Sequence, residues 1–124
     1  KYKKISDLSS SRICVQIGTT GAKNAQRISG KVGAFNTVPE AFMELKAKGC
    51  EAVMNDRPVN LYFLSKMHSD EYVEIPEILD GEQYGIAVGK NNPEVLEAIN
   101  SGLKKIRENG TFAEIHKKWF KVAE

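Results

Sequence analysis

The sequence predicts an α/β fold: a three-layer α/β/α lobe with a mainly parallel central sheet, carrying two further helices at its C-terminal end. Three observations predict it. Short apolar runs alternate with amphipathic segments in β-α-β-α-β order, which implies parallel strands joined by right-handed crossovers. The run 12–17 is almost wholly apolar, as a strand buried on both faces must be. Helix-capping residues stand where the hydrophobic period changes from two to 3.6. With 124 residues, 41% of them apolar, the chain suits one domain with a real core.

The elements follow in order. Arg12–Ile17 reads as the first strand, closed by the turn Gly18-Thr19-Thr20-Gly21. A helix capped at Thr19 or Thr20 runs to about Ile28, with Ala22, Ala25 and Ile28 inward and Gly30 ending it. Lys31–Asn36 is the second strand. Thr37-Val38-Pro39-Glu40 is a capping box, and Val38, Ala41, Phe42 and Leu45 form the apolar stripe of its helix. Gly49 is expected to stop that helix. The third strand is Cys50–Met54, ending in Asn55-Asp56. Pro58 sits in the first turn of the next helix, where its missing N–H costs nothing; that helix reaches about Met67, with Leu61, Leu64 and Met67 inward. Tyr72–Ile75 and Tyr84–Val88 read as a fourth and a fifth short strand. Asn92-Pro93-Glu94 opens a helix striped by Leu96, Ile99, Leu103 and Ile106 and ended by Asn109-Gly110. Thr111-Phe112-Ala113-Glu114 reads as a second capping box, opening a last helix with Ile115, Trp119 and Phe120 inward.

Composition excludes several function classes. The net charge is +2, from 18 basic and 16 acidic residues, which is not the basic stripe of a nucleic-acid binder. Lys1, Lys3 and Lys4 read as a solvated terminus. No run approaches the roughly 18 apolar residues of a membrane span. His68 and His116 lack metal-ligand spacing, so neither metal nor cofactor is expected. No Ser-His-Asp or Cys-His arrangement can be placed, and the Gly18–Gly21 turn lacks the Lys of a phosphate-binding loop. Cys14 and Cys50 lie in strand-like apolar runs and read as buried free thiols, with a disulfide as the alternative.

The chemistry concentrates at two strand ends. In a parallel α/β sheet, ligands bind beyond the carboxyl ends of the strands, where strand order reverses. The amide-rich helix start at Thr19-Thr20 favours an anion. The Asp56 carboxylate, at the end of the third strand, favours a cation. The pair suits a zwitterion, of which an α-amino acid is the commonest; the same residues also serve as ordinary helix caps.

The ordered set Asp7-Leu8, Val15-Gln16-Ile17-Gly18-Thr19-Thr20, Thr37-Val38-Pro39-Glu40-Ala41, Ala52-Val53-Met54-Asn55-Asp56-Arg57-Pro58, Tyr84-Gly85-Ile86-Ala87-Val88, Lys90-Asn91, Asn100, Leu103 and the tail Glu108–Ile115 with Lys118-Trp119-Phe120 resembles the polar amino-acid-binding proteins of bacterial ABC importers (solute-binding protein family 3, with the type 2 periplasmic binding protein fold). The resemblance covers nearly the whole chain and begins where the second of the family's two lobes begins. It implies a second, ligand-closing lobe with a hinge-like strand over residues 1–88, and C-terminal helices over 89–124 that would pack on an absent first lobe. Carried over residue by residue, it implies that the Thr20 amide and hydroxyl hold the α-carboxylate, that Gly18 allows close approach, and that Asp56 pairs with the α-ammonium. Gln16 and Asn55 then line the pocket, and Thr19 caps the helix. The implied function is extracytoplasmic binding of a polar L-amino acid (arginine, lysine, histidine or glutamine class), without catalysis, for delivery to the membrane subunits of an ABC transporter. The implied location is periplasmic or cell-surface. Amino-acid sensing in a signalling receptor and a dehydratase-like enzyme are the alternatives on the same fold. Exposed C-terminal helices would also favour a homo-oligomer, including one formed by exchanging those helices.

Overall fold

A computed structural model describes residues 2–67 and 70–120. It divides into two compact units, 1–80 and 81–124.

In the first unit, the strands β1 (Ile13–Gln16), β2 (Val32–Phe35) and β3 (Ala52–Val53) alternate with the helices α1 (Thr20–Ile28), α2 (Val38–Lys46) and α3 (Arg57–Met67). The sheet is parallel, in the order β2-β1-β3. β1 pairs with β2 over four residues, Ile13↔Val32 to Gln16↔Phe35. It pairs with β3 over only two, Ile13↔Ala52 and Cys14↔Val53.

Side chains alternate across a strand, and β1 is apolar in both directions because each of its faces is covered. Ile13 and Val15 pack with Ala25 of α1 and with Leu8, which lies on a short 3-10 turn over Ile5–Leu8. Cys14 packs on the other face with Ala41 of α2 and with Cys50. These two clusters make the three layers expected from the sequence. α3 is tied to α2 by a stacked ring pair, Phe42 on Phe63, with centroids 4.4 Å apart.

The helix ends show which local signals decide. Thr37 and Glu40 form a reciprocal capping box at the start of α2. At its other end the left-handed residue is Lys48, at φ 62°, and not the expected Gly49. The Gly49 N–H donates to the Glu44 carbonyl and the Lys48 N–H to the Leu45 carbonyl, the paired bonds of a Schellman stop.

The second unit holds α4 (Pro93–Glu108) and α5 (Thr111–Phe120). Neither contains a fully buried residue. Thr111 is the first helical residue of α5, one place later than a cap, and its N–H donates to Asn109 Oδ1 at 3.0 Å.

Three further expectations are corrected. Tyr72–Ile75 and Tyr84–Val88 are not strands. β-propensity forms a strand only beside a partner. Residues 72–75 are held instead by side chains: Glu74 pairs with Arg57 at 2.8 Å, and Ile75 packs on the first core cluster. The chain then bends where the Glu77 N–H donates to the Ile75 carbonyl. In 84–88, Tyr84 and Ile86 stay exposed, and among the described residues of their own unit the regular structure is α4 and α5. The third correction concerns the thiols. Cys14 and Cys50 form a disulfide, with Cα atoms 6.1 Å apart. β3 begins beside β1, which brings together residues 36 apart in sequence.

Candidate functional site

Strand order reverses at β1: the chain leaves it for β2 on one side and returns to β3 on the other. The carboxyl ends of β1 and β3 therefore open at the same edge of the sheet, with α1 starting from one and α3 from the other.

At the end of β1, Gln16 is half-buried and its Nε2 donates to the Asn36 carbonyl at 3.1 Å. The Ile17 N–H donates to Phe35 O, and Gly18 then turns the chain at φ 77°. Only glycine adopts that conformation without strain. Thr19 is the cap: its Oγ1 accepts from the Ala22 N–H at 3.1 Å and donates to the Gln16 carbonyl at 2.8 Å. Thr20 is exposed and opens α1. Its amide is among the four that have no acceptor within the helix, at the positive end of the dipole.

At the end of β3, the Met54 N–H donates to Cys14 O at 3.0 Å, flanking the β1–β3 ladder. Asn55 and Asp56 follow, both half-buried. The Asp56 carbonyl accepts from the N–H groups of Val59 and Asn60, so Asp56 occupies the position that leads into α3. Asn60 Nδ2 donates to the Asn55 carbonyl at 3.3 Å. The Asn55 Nδ2 amide is buried without a hydrogen-bond partner among the described residues, a costly state for a donor.

The two ends touch. A Cβ built on Gly21, in the first turn of α1, would lie 3.1 Å from the Met54 carbonyl oxygen and 3.6 Å from Asn55 Cα. Gly21 thus lets the amide end of α1 rest against the residues that follow β3. Gln16, Gly18, Thr19, Thr20, Asn55 and Asp56 are brought to one edge, combining helix amides, a carboxylate and two side-chain amides. That set can hold a small solute bearing both charges. Sequence reasoning placed Gly21 in the turn but not in this contact, and missed Asn60; both parts depend on packing between elements.

Metal chemistry has no cluster to work with: among the described residues, no group of three or more His, Cys, Asp and Glu side chains could hold an ion. His68 lies outside the described residues. His116 lies among aromatic rings, 6.5 Å from that of Phe112 and 4.9 Å from that of Phe120. No helix among the described residues is long and apolar enough to cross a membrane.

Comparison with known proteins gives a consistent result. Residues 4–122 match the profile described as "Bacterial extracellular solute-binding proteins, family 3". The chain is similar to a "Probable histidine-binding protein" of Neisseria gonorrhoeae, 30% identical over 97% of this chain and 48% of the relative. It is equally similar to "ABC transporter glutamine-binding protein GlnH" of Bacillus subtilis, 30% identical over 98% of this chain and 45% of that one. Among solved structures, "An ancestral arginine-binding protein bound to glutamine" superposes with a TM-score of 0.77, at 36% identity, over 96% of this chain and 54% of that chain. The chain spans about half the length of the relatives it matches.

Proposed function

The chain belongs to the bacterial extracellular solute-binding proteins, family 3, and from that premise we propose that it supplies one wall of a receptor for a polar L-amino acid. The observation that carries the reading is the contact of Gly21 with Met54 and Asn55. It sets a helix amide end beside an acidic strand end at the site of the topological switch. The Thr20 amide and hydroxyl hold the α-carboxylate, with Gly18 leaving that corner open. Asp56 pairs with the α-ammonium. Asn55 and Gln16 offer amides to the ligand. Thr19 shapes the corner without touching the ligand.

Relatives named for histidine and glutamine binding, and a neighbour bound to glutamine, support a polar side chain in the ligand. No covalent step is required: capture follows from closing this wall over a ligand held elsewhere. The relative named as an ABC transporter protein supports delivery to a transporter's membrane subunits, and the buried disulfide supports an oxidising, extracytoplasmic location. Exposed apolar residues on α4 and α5, Leu96 at 48% and Trp119 at 53%, support association between copies.

The test is a calorimetric titration of the chain, wild type and Asp56→Asn, with L-arginine, L-histidine and L-glutamine. One wall alone gives weak binding, and Asp56→Asn weakens it by a further factor of about ten or more, the loss of one charge-assisted contact. Equal affinities for the two proteins would defeat the assignment of Asp56.

A further inference from the structure

We propose that Cys14 and Cys50 are positioning residues: their disulfide holds β3 in register on β1, and so holds Asn55 and Asp56 opposite the Thr20 corner. This rests on the reading of that edge as the amino-acid site. The need for a register device is visible in the ladders. β1 and β2 share four residue pairs, whereas β1 and β3 share two. The backbone bonds flanking that short ladder are Glu51 N–H to Arg12 O and Met54 N–H to Cys14 O, each 3.0 Å.

A parallel pair this short specifies its alignment weakly. A slip of one residue moves a strand by about 3.3 Å and turns every side chain to the opposite face. On β3, that slip would carry Asn55 and Asp56 away from the corner by more than a hydrogen-bond length. Side-chain ties at the entrance to β3 also run through Arg12: its backbone N–H donates to Glu51 Oε2 at 2.6 Å, and its guanidinium, on a side chain 46% exposed, donates to Glu44 and to the Gly49 carbonyl. The disulfide is different in kind. Cys14 lies two residues before Gln16, and Cys50 five before Asn55. Both are buried, and the bond ties β1 to the residue two places before β3, between the segments that carry the opposing walls. The closed loop contains Gln16, Gly18, Thr19 and Thr20, and the acidic wall leaves it directly.

Amide hydrogen exchange on the oxidised chain, on the chain reduced with a phosphine, and on the Cys14→Val/Cys50→Ala variant separates register control from general stabilisation. The Met54 N–H reports the β1–β3 ladder and the Ile17 N–H the β1–β2 ladder. Opening the bridge is expected to speed exchange at Met54 at least about tenfold more than at Ile17. In the same samples, binding of L-glutamine or L-arginine weakens by about tenfold, and reoxidation restores it. Equal acceleration at both amides, unchanged exchange at Met54, or unfolding of both the reduced chain and the variant would overturn the proposal. So would two alkylatable thiols in the denatured, unreduced protein. An oxidised chain that binds neither amino acid, with the exchange difference intact, would support the register role and count against the receptor reading instead.

Discussion

Lys48 adopts a backbone conformation that suits glycine, at φ 62° just past the end of α2. A side chain in the left-handed region costs roughly 1 kcal/mol or more, and Lys48 is exposed, so little packing offsets it. Lys48→Gly is therefore expected to stabilise the protein by about 1 kcal/mol, read as a higher denaturant midpoint at unchanged slope. Asp7 offers a second residue-scale measurement. Its carboxylate accepts from the N–H groups of Lys3 and Lys4, at 3.0 and 3.2 Å. The bond from Lys3 is the largest cause of a pKa held below the ordinary carboxylate value. A lowered pKa means a stabilising contribution that is present above the ordinary value and is lost as pH falls through the lowered one. An NMR titration of the Asp7 carboxyl should give a midpoint below that of a free aspartate, and Asp7→Asn should remove this part of the acid-side loss of stability.

Among the elements, α3 depends on aromatic packing more than on a buried stripe. It has no fully buried residue, and its Phe63 stacks on the buried Phe42 of α2. Phe42→Ala should cost about 3 kcal/mol, with α3 amides losing exchange protection before those of β1. Elements of this kind divide the fold into what was legible in the sequence and what was not. The caps at Thr19 and Thr37 were readable because a hydroxyl and an amide three residues away settle them locally. β1 was readable because burial on both faces leaves an unbroken apolar run. Tyr72–Ile75 and Tyr84–Val88 were misread because their composition is strand-like, whereas pairing is a property of the sheet and not of the segment. The two walls of the candidate site were legible as separate strand ends. Their contact through Gly21, the Asn60 bond to Asn55 and the Cys14–Cys50 bridge were not, because each depends on which strands become neighbours.

For the molecule as a whole, the two units differ in how they meet water. The first encloses two buried clusters, whereas α4 and α5 leave Leu96, Ile115 and Trp119 near half exposed. Apolar surface of that kind favours self-association. Light scattering across a hundredfold concentration range should show a mass that rises with concentration, and Leu96→Lys with Trp119→Lys should hold the protein at the monomer mass. In the first unit, the central strand is also the first to be synthesised, and the thiol of Cys14 waits for Cys50, 36 residues behind it. Closing that loop is worth about 4 kcal/mol in the chain-entropy account. Cells that keep thiols reduced will deliver this polypeptide as a dithiol. Recombinant preparations will acquire their crosslink once outside that reducing compartment, and reduced and oxidised batches will behave as two different proteins.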